Sequence, residues 1–425
     1  MGWNLTELVA RHQVPGAQVA VLANGEIEEH SAGVLNLRTR VETTSDSVFQ
    51  IGSITKIWTS TLAQRLVNEG VLDLDCPIRS YLPDFALSDP SAAESVTARH
   101  LLTHTNGIDG NLFTDTGVSD DAVAKFVATL RTADQLFPPG TMFSYSNTGF
   151  TVLGRLVEVL RGKPFHDVLR DELVTPLGLK TVSTNAYEAI LHRAAVGHEL
   201  TNGTLAPVKT WALAYSNAPC GAQLAMSAHD LLTFVRLHLT DFAELREPQV
   251  TVPPNLGAPQ WGLGWMLHGD GVVGHTGTTL GQKAFLRVVP SKGVAVAVLT
   301  NGLGGAPLAH EVITHTLRDL AGVDTPPRPT PPANPAPVED WMCGTYRGTK
   351  VDYVLSREGD RAFLDYLSRD GEEVHDRMEI VRLDDHSIIT LEPEFGTHYV
   401  GTFVGRDDEG HAKFLHNVNA LPRIA

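Results

Sequence analysis

Ser53 and Lys56 are the residues of this 425-residue chain whose types and spacing most directly suggest chemistry. They stand three positions apart at the start of an apolar-striped segment, so a helix there places both side chains on one face. A serine in a first helical turn points its hydroxyl toward unpaired N–H groups, which favour a developing oxyanion. A buried, neutral lysine one turn later could remove the hydroxyl proton. Alone the pair is a weak signal, because an N-cap serine and a surface lysine give the same spacing.

Two further segments carry polar side chains that could complete such a site. Tyr145 to Asn147 follow a Pro-Pro-Gly run at 138–140 and precede a helical pattern from Thr151, so we expect them on a loop that enters a helix. The segment 274–278 places His275 between glycines, which let a backbone approach a ligand closely. Both segments could therefore face a cleft beside Ser53.

These three segments, in this order, resemble the motifs of the serine β-lactamase and penicillin-binding-protein superfamily. The branch they resemble holds class C β-lactamases, D-aminopeptidases and esterases. The S-x-x-K motif corresponds to Ser53–Lys56, Y-x-N to Tyr145–Asn147, and the third motif, K-T-G or H-x-G, to His275–Gly277. The resemblance covers about residues 10 to 320 and extends to phrases at 71–83, 101–108, 138–154 and 261–265. Three ordered motifs are a specific signal, and they outweigh the N-cap interpretation of Ser53.

The resemblance implies a role for each residue of the first two motifs. Ser53 would be the nucleophile that forms an acyl-enzyme. Lys56 and Tyr145 would share the general-base work, and which of them starts deprotonated is open. Asn147 would hydrogen-bond the acyl side chain of the substrate or Lys56.

The third motif is expected to supply main-chain hydrogen-bond donors. It also differs from the lactamase pattern at one residue. The N–H groups of Ser53 and Thr278 would form the oxyanion hole, and substrate would bind along Thr276, Gly277 and Thr278. His275 stands where lactamases have a lysine that holds the substrate carboxylate. A neutral histidine weakens that electrostatic hold, although His275 remains a member of the catalytic set. The resemblance implies that H-x-G members are more often esterases, peptidases or transacylases than lactamases.

Net charge and the spacing of cysteines and histidines disfavour several classes of partner and metal site. A formal net charge of −16 disfavours nucleic acid and anionic membranes, because both would be repelled. The three cysteines, at 76, 220 and 343, are too far apart for a disulfide framework or a zinc cluster. Cys76 and Cys220 are expected to be small buried residues, with a place in the lining of the cleft as the alternative for Cys220. His310 and His315 do not fit a zinc-binding helix, whose histidines stand four positions apart. We therefore expect no metal and no cofactor.

The first residues predict a location. Met1 to Glu7 read as the opening of a helix and contain no basic segment followed by a long apolar run. No later stretch reaches the ~20 apolar residues of a membrane span. We expect a cytoplasmic protein with no membrane partner, acting on an intracellular ester, amide or thioester.

The elements that must position these residues predict an α/β fold with an antiparallel sheet flanked by helices. Asn24-Gly25 predicts a tight hairpin, and apolar runs at 284–289 and 294–299 predict another, whereas helical spacing dominates from Val71 to about Ser216. This order predicts an α/β domain from residues 1–70 and 217–322, with an all-helical insert at 71–216 and the active-site cleft where the two meet.

The remainder of the chain predicts a separate β domain. Seven prolines between Thr325 and Val338 indicate an extended linker, which we place at 323–338. Short β-rich runs separated by turn signals predict a small antiparallel barrel or sandwich at 339–425. Its role is open between a packing appendage and a gate to the substrate.

Together these observations predict a serine enzyme that transfers acyl groups. The H-x-G motif, the FPPGTMFSYSNTG phrase and the β-rich tail resemble penicillin-binding-protein-type thioesterases and transacylases of actinomycete natural-product pathways. A transacylase with a small-molecule or peptide-like acyl donor and an amine acceptor is therefore the favoured function. The alternative enzymes are a simple esterase, a D-aminopeptidase-type hydrolase and a β-lactamase. The alternative that is not an enzyme is a catalytically silent binding module. Oligomeric state does not follow from the sequence.

Overall fold

The computed structural model describes residues 2–201, 203–254, 257–369 and 377–425, and it confirms the predicted α/β class. Among the described residues, no helix has both the length and the apolar character needed to cross a membrane. The helices are Leu5–Arg11 (α1), Thr55–Asn68 (α2), Pro90–Ser95 (α3), Ala98–Leu102 (α4), Ala122–Thr129 (α5), Asn147–Arg161 (α6), Phe165–Leu169 (α7), Ala186–Ala189 (α8), Ala228–Thr240 (α9) and Gly305–Ala321 (α10).

The strands that precede the proline-rich segment form one large antiparallel sheet and two small pairs. In chain order they are Gly16–Ala23 (β1), Glu26–Gly33 (β2), Phe49–Gln50 (β3), His198–Thr201 (β4), Thr204–Pro207 (β5), Ala225–Met226 (β6), Val250–Thr251 (β7), Gln260–Trp261 (β8), Met266–Gly269 (β9), Val272–Thr278 (β10), Lys283–Val289 (β11) and Val294–Thr300 (β12). The large sheet has the order β2-β1-β12-β11-β10-β9-β8-β7, while β3 pairs with β6 and β4 with β5.

The large sheet is covered by helices on both faces, as the sequence predicts. Side chains of β12 such as Val296 and Val298 pack with α1 and α10, whereas the alternate residues Ala297 and Leu299 join the larger core that contains α2, α6 and α9. The alternation follows from the two-residue period of a strand, and every residue of β12 is buried because helices cover both sides. The third motif lies on β10, two strands from β12.

The region between α2 and β6 is mostly helical, with two differences from the prediction. The helix expected from Thr151 begins at Asn147, because the Ser146 hydroxyl accepts the Gly149 N–H at 2.9 Å and caps the extra turn. Strands β4 (His198–Thr201) and β5 (Thr204–Pro207) pair with each other inside the stretch that was expected to be helical. The earlier start of α6 moves Asn147 from a loop onto the first helical position.

The described residues after 338 form an antiparallel barrel rather than a sandwich. Its strands are consecutive neighbours, and the main-chain hydrogen bonds between Thr345 and both Ile424 and Ala425 bring the first strand to the last, so the barrel is nearly closed. Residues 323–338, all described, adopt no regular helix or strand. The barrel strands are Gly344–Arg347 (β13), Val351–Glu358 (β14), Arg361–Ser368 (β15), Met378–Arg382 (β16), Ser387–Thr390 (β17), Val400–Arg406 (β18), Ala412–His416 (β19) and Ala420–Pro422 (β20).

Candidate active site

Ser53 lies in a short 3-10 turn, Gly52–Ile54, that leads directly into α2. The helix is held in the core by its apolar side chains, and the Trp58 ring stacks on Phe234 with centroids 3.9 Å apart. Gly52 adopts φ = 52°, a left-handed conformation that favours glycine and turns the chain sharply before the serine. Ser53 is partly exposed whereas Lys56 is completely buried, so Ser53 is accessible to solvent and the Lys56 side chain is shielded from it.

Glycines bring the end of β10 against the Ser53 turn. A Cβ on Gly52 would lie 2.8 Å from the amide nitrogen of Thr278, and a Cβ on Gly277 would lie 3.1 Å from the amide nitrogen of Ser53. A Cβ on Gly221 would lie 2.9 Å from that same Ser53 nitrogen. The two amides proposed for the oxyanion hole therefore flank a backbone contact that has no room for side chains.

Lys56 donates to three acceptors that surround its ammonium group. Its Nζ lies 2.6 Å from the main-chain carbonyl of Cys220, 2.7 Å from Oδ1 of Asn147 and 3.2 Å from Oγ of Ser53. Burial lowers the pKa of Lys56 from 10.5 to about 8, because a charged amine loses hydration there. About one molecule in ten then carries a neutral Lys56 at pH 7, whereas an exposed lysine would almost never be neutral.

Tyr145 lies beside this ammonium group. The Nζ of Lys56 is 4.8 Å from the centroid of the Tyr145 ring. Burial raises the pKa of the Tyr145 phenol well above its usual value, and the neighbouring Ser53 hydroxyl offsets only part of that effect. The phenol oxygen is buried and has no hydrogen-bond partner of ordinary geometry within the described residues. In this resting arrangement Lys56 is the easier of the two groups to deprotonate.

His104 supports the Tyr145 segment through two hydrogen bonds. Its Nδ1 accepts the Ser146 N–H at 2.9 Å, and its carbonyl accepts the Ser144 N–H at 2.8 Å. The ring lies 4.3 Å from the Tyr145 ring. Burial is the largest cause that lowers the pKa of His104 well below its usual value, and the charge of Lys56 is the next. A neutral His104 therefore holds the segment that carries the second motif.

The third motif places His275 and Thr276 on opposite faces of β10. His275 pairs with Leu286 of the core beside α2, whereas Thr276 pairs with Phe285 of the core beneath α10. The Thr276 side chain therefore points away from the His275 side, and its carbonyl lies 2.8 Å from Nδ1 of His275. A contact between substrate and Thr276 stays a prediction, and this placement leaves its main chain as the part of Thr276 that faces the site. Burial, followed by the charge of Lys56, lowers the pKa of His275 to about 3, so the ring is neutral near pH 7.

Two partners of the site were not identified from the sequence. The Cys220 carbonyl binds Lys56, while its buried thiol lies 3.1 Å from the Asn217 carbonyl. Asn111 accepts a hydrogen bond from Nδ2 of Asn147 at 3.0 Å. A main-chain carbonyl carries no signature in the residue type, and Asn111 stands in an ordinary polar loop, so neither contact could be read from spacing. Cys76, expected to be buried, is half-buried and donates to Ser80.

A serine beside a buried lysine, at the end of an antiparallel sheet, defines a serine acyl-transfer enzyme. Comparison with known proteins gives the same class. A family profile described as beta-lactamase matches residues 4–320, and the chain belongs to this family of serine hydrolases and acyltransferases. It is 40% identical over 360 residues to penicillin-binding protein 4 of Amycolatopsis lactamdurans, an alignment that covers 80% of this chain and 94% of that protein.

Two solved structures are similar over long stretches. The crystal structure of SurE with D-Leu has a TM-score of 0.74 and 26% identity, and the alignment covers 98% of this chain and 97% of that one. The D-amino acid amidase of Ochrobactrum anthropi complexed with L-phenylalanine amide has a TM-score of 0.59 and 25% identity, covering 70% of this chain and 89% of the amidase. The SurE similarity includes the C-terminal barrel, because nearly the whole chain is aligned.

Proposed function

We propose that this protein transfers an acyl group from a peptide-like donor to an amine through an acyl-enzyme on Ser53. The observation that carries the proposal is the environment of Lys56. An ammonium group there satisfies its three donors with the Cys220 carbonyl, Asn147 and Ser53. A neutral amine has two donors and one lone pair, so with the two carbonyl oxygens occupied its lone pair points at the Ser53 hydroxyl. That arrangement suits a general base.

The proposed reaction has two symmetric halves. Ser53 Oγ attacks the donor carbonyl carbon, its proton passes to Nζ of Lys56, and the oxyanion forms beside the amides of Ser53 and Thr278. The carbon–leaving-group bond then breaks, and the leaving group departs with the proton, delivered by Lys56 directly or through Tyr145. An amine next attacks the acyl carbon and gives up one proton by the same route. The bond to Ser53 breaks, its oxygen regains that proton, and an amide is released.

The relatives suggest which donors to test first. SurE was crystallised with D-Leu, and the Ochrobactrum enzyme is named a D-amino acid amidase. We propose that the acyl group carries a D-configured amino acid at the reacting carbonyl. A neutral His275 supports this choice over a lactam substrate, because it lacks the permanent charge that would hold a penicillin carboxylate.

Amine and water use the same catalytic groups, so the acceptor is decided by what the cleft orients and excludes. The sequence expectation of a cytoplasmic location belongs to this proposal, because it would provide intracellular esters and thioesters as donors. Hydrolysis by water is the alternative outcome, and it would make the protein an esterase or amidase.

The test is intact-mass spectrometry with D- and L-aminoacyl N-acetylcysteamine thioesters, each with and without a primary amine. We expect a mass increase on Ser53 with the D-donor and faster discharge to an amide when the amine is present. Ser53→Ala should abolish the adduct while the melting temperature stays nearly unchanged, because the hydroxyl is partly exposed. Discharge to the free acid at a rate independent of amine would establish a hydrolase. Rapid turnover of nitrocefin would establish a lactamase, and equal ester turnover by Ser53→Ala would leave only a binding module.

A further inference from the structure

The barrel touches the second catalytic motif directly. The Tyr145 N–H donates to the Val418 carbonyl at 3.1 Å, and Nδ2 of Asn419 donates to the Tyr145 carbonyl at 2.5 Å. Both main-chain groups of the motif tyrosine are thus bound by residues 417–419, the turn between β19 and β20. We call this turn the barrel turn.

A continuous chain of side-chain amides runs from the barrel turn to Lys56. Oδ1 of Asn419 accepts from Nδ2 of Asn111 at 2.7 Å, and Oδ1 of Asn111 accepts from Nδ2 of Asn147 at 3.0 Å. Oδ1 of Asn147 then accepts from Nζ of Lys56 at 2.7 Å. Each amide gives its NH₂ group to one neighbour and its oxygen to the other.

The direction of this chain is fixed at one end. The Tyr145 carbonyl can only accept a hydrogen bond, so Asn419 must present its NH₂ group there and its oxygen to Asn111. That oxygen in turn requires the NH₂ group of Asn111, which leaves the Asn111 oxygen for Asn147. The NH₂ group of Asn147 is committed in the same way, and its oxygen faces Lys56. A flip of any one amide would place two donors or two acceptors against each other.

The orientation of Asn147 decides what a neutral Lys56 can do. With an acceptor at Asn147 and another at Cys220, the two N–H groups of the neutral amine are both used, and its lone pair is left for Ser53. With the Asn147 amide reversed, its NH₂ group would compete with the Ser53 hydroxyl for that lone pair.

We propose that Asn419 and Asn111 are positioning residues that fix the Asn147 amide and so aim Lys56 at Ser53. The inference rests on the proposed function, because it concerns the same nucleophile and base. It gives the C-terminal barrel a part in the chemistry, although no barrel residue is required to contact the substrate.

Gly110 provides the space for this arrangement. A Cβ at position 110 would lie 2.4 Å from the Tyr145 carbonyl oxygen and 3.1 Å from Nδ2 of Asn419, the two atoms whose bond fixes the chain. The Gly110 carbonyl also accepts the Asn147 N–H at 2.8 Å. The loop that carries Asn111 therefore approaches both partners closely.

The test is the pH dependence of Ser53 acylation by p-nitrophenyl butyrate, followed by stopped-flow release of p-nitrophenol from the full-length protein. The wild-type rate should rise with pH to a plateau with a midpoint near 8, where Lys56 loses its proton. In Asn419→Ala and Asn111→Ala, the plateau should fall by about tenfold because the lone pair is no longer directed. The midpoint should move to lower pH, because the Asn147 oxygen no longer stabilises the ammonium form.

Two variants serve as controls. Val418→Ala changes the same turn but keeps its main-chain carbonyl, so its midpoint and plateau should match the wild type. Asn111→Asp keeps an acceptor for Asn147 but loses the donor to Asn419, so its plateau should fall less than that of Asn111→Ala, with a midpoint raised by the added negative charge. The double variant of Asn111 and Asn419 to alanine should be no slower than Asn111→Ala alone, because both act through one chain.

A fall of the plateau in Asn419→Ala and Asn111→Ala with an unchanged midpoint would indicate general loosening and would overturn the proposal. An Asn111→Asp variant as slow as Asn111→Ala would also overturn it, and this isosteric pair remains informative if Asn419→Ala does not fold. Absence of any wild-type acylation would overturn both this inference and the proposed function. Normal wild-type acylation with unshifted variants would overturn this inference alone.

Discussion

Lys56 shows how one residue exchanges stability for reactivity. Its side chain is fully buried, and burial is the largest cause of its pKa of about 8. A shift from 10.5 to about 8 corresponds to about 3 kcal/mol of unfavourable burial of the charged form at neutral pH. The same cost makes the neutral base available, so a site that removed it would lose its reactivity.

Lys56→Met should therefore abolish acylation without lowering the stability of the protein at pH 7. Because the pKa is lowered in the folded state, the unfolded chain binds the extra proton between about pH 8 and 10.5, and the free energy of unfolding of the wild type should rise with pH in that window. The variant lacks this contribution, so the wild type should gain stability relative to it from pH 7.5 to 9.5. Urea denaturation at several pH values measures the difference. A variant several kcal/mol less stable, with no pH-dependent gap, would contradict this account.

At the scale of elements, the approach of β10 to the Ser53 turn is the contact on which the site depends. A Cβ at Gly277 would lie 1.9 Å from the Ile51 carbonyl oxygen, a distance that backbone atoms cannot accommodate without moving. The strand and the turn would separate, and the amides of Ser53 and Thr278 would no longer converge.

Gly277→Ala should lower the rate of Ser53 acylation by about 10² or more, the usual effect of losing one oxyanion donor, and should also lower the melting temperature. Thr276→Ala is the matched control in the same strand, because its side chain lies on the face toward α10. Its acylation rate should stay within about twofold of the wild type. Equal losses in both variants would show that Thr276 contributes to the site after all.

Local patterns predicted the elements that depend on neighbours in sequence. Helix α1 spans Leu5–Arg11, where the first residues indicated the opening of a helix, and the Asn24-Gly25 hairpin forms with both residues at positive φ, 53° and 80°. The first turn of α6 was missed because Asn147, Thr148 and Gly149 have weak helical propensity, and the cap at Ser146 compensates. The sequence signal for this helix start was Ser146, three residues before Gly149, whose N–H it accepts. A serine at that spacing from a glycine is also common outside helices.

Long-range contacts could not be predicted in this way. Asn111 and Asn419 are 308 positions apart, and nothing in either segment indicates that their side chains meet. Strands β13, β16 and β20 have five residues or fewer, and β20 ends in Pro422, so their sequences alone give weak strand signals. They form because their main-chain groups pair with those of neighbouring barrel strands. The assignment of roles to Ser53, Lys56 and Tyr145 came from motif order, and the fold explains why distant motifs meet.

On the scale of the whole molecule, the barrel and the catalytic unit share a dense set of polar contacts. Besides the contacts of Tyr145 and Asn111, the Ala420 N–H donates to Ser144 Oγ at 3.0 Å, and Thr349 donates to Asp109 at 2.7 Å. Each such bond contributes about 1 kcal/mol, so together they couple the two units by several kcal/mol. That coupling is comparable with the stability of a small barrel alone, about 5–10 kcal/mol.

We therefore expect a single cooperative unfolding transition for the full-length protein. Differential scanning calorimetry should give one peak whose calorimetric and van't Hoff enthalpies agree. Asn419→Ala should lower the melting temperature of the entire peak rather than split it. Two separated peaks in the wild type would show that the barrel is only attached to the rest of the molecule.

The position of the barrel turn late in the chain also has a consequence during protein synthesis. The ribosome adds Ser53, Lys56 and Asn147 hundreds of residues before Asn419. The nascent polypeptide therefore contains its nucleophile before the barrel turn has been made. Until the β19–β20 hairpin docks, acylation of Ser53 in a newly made molecule would be slow. Translation order would thus delay reactivity until residues 417–419 have been made and have docked.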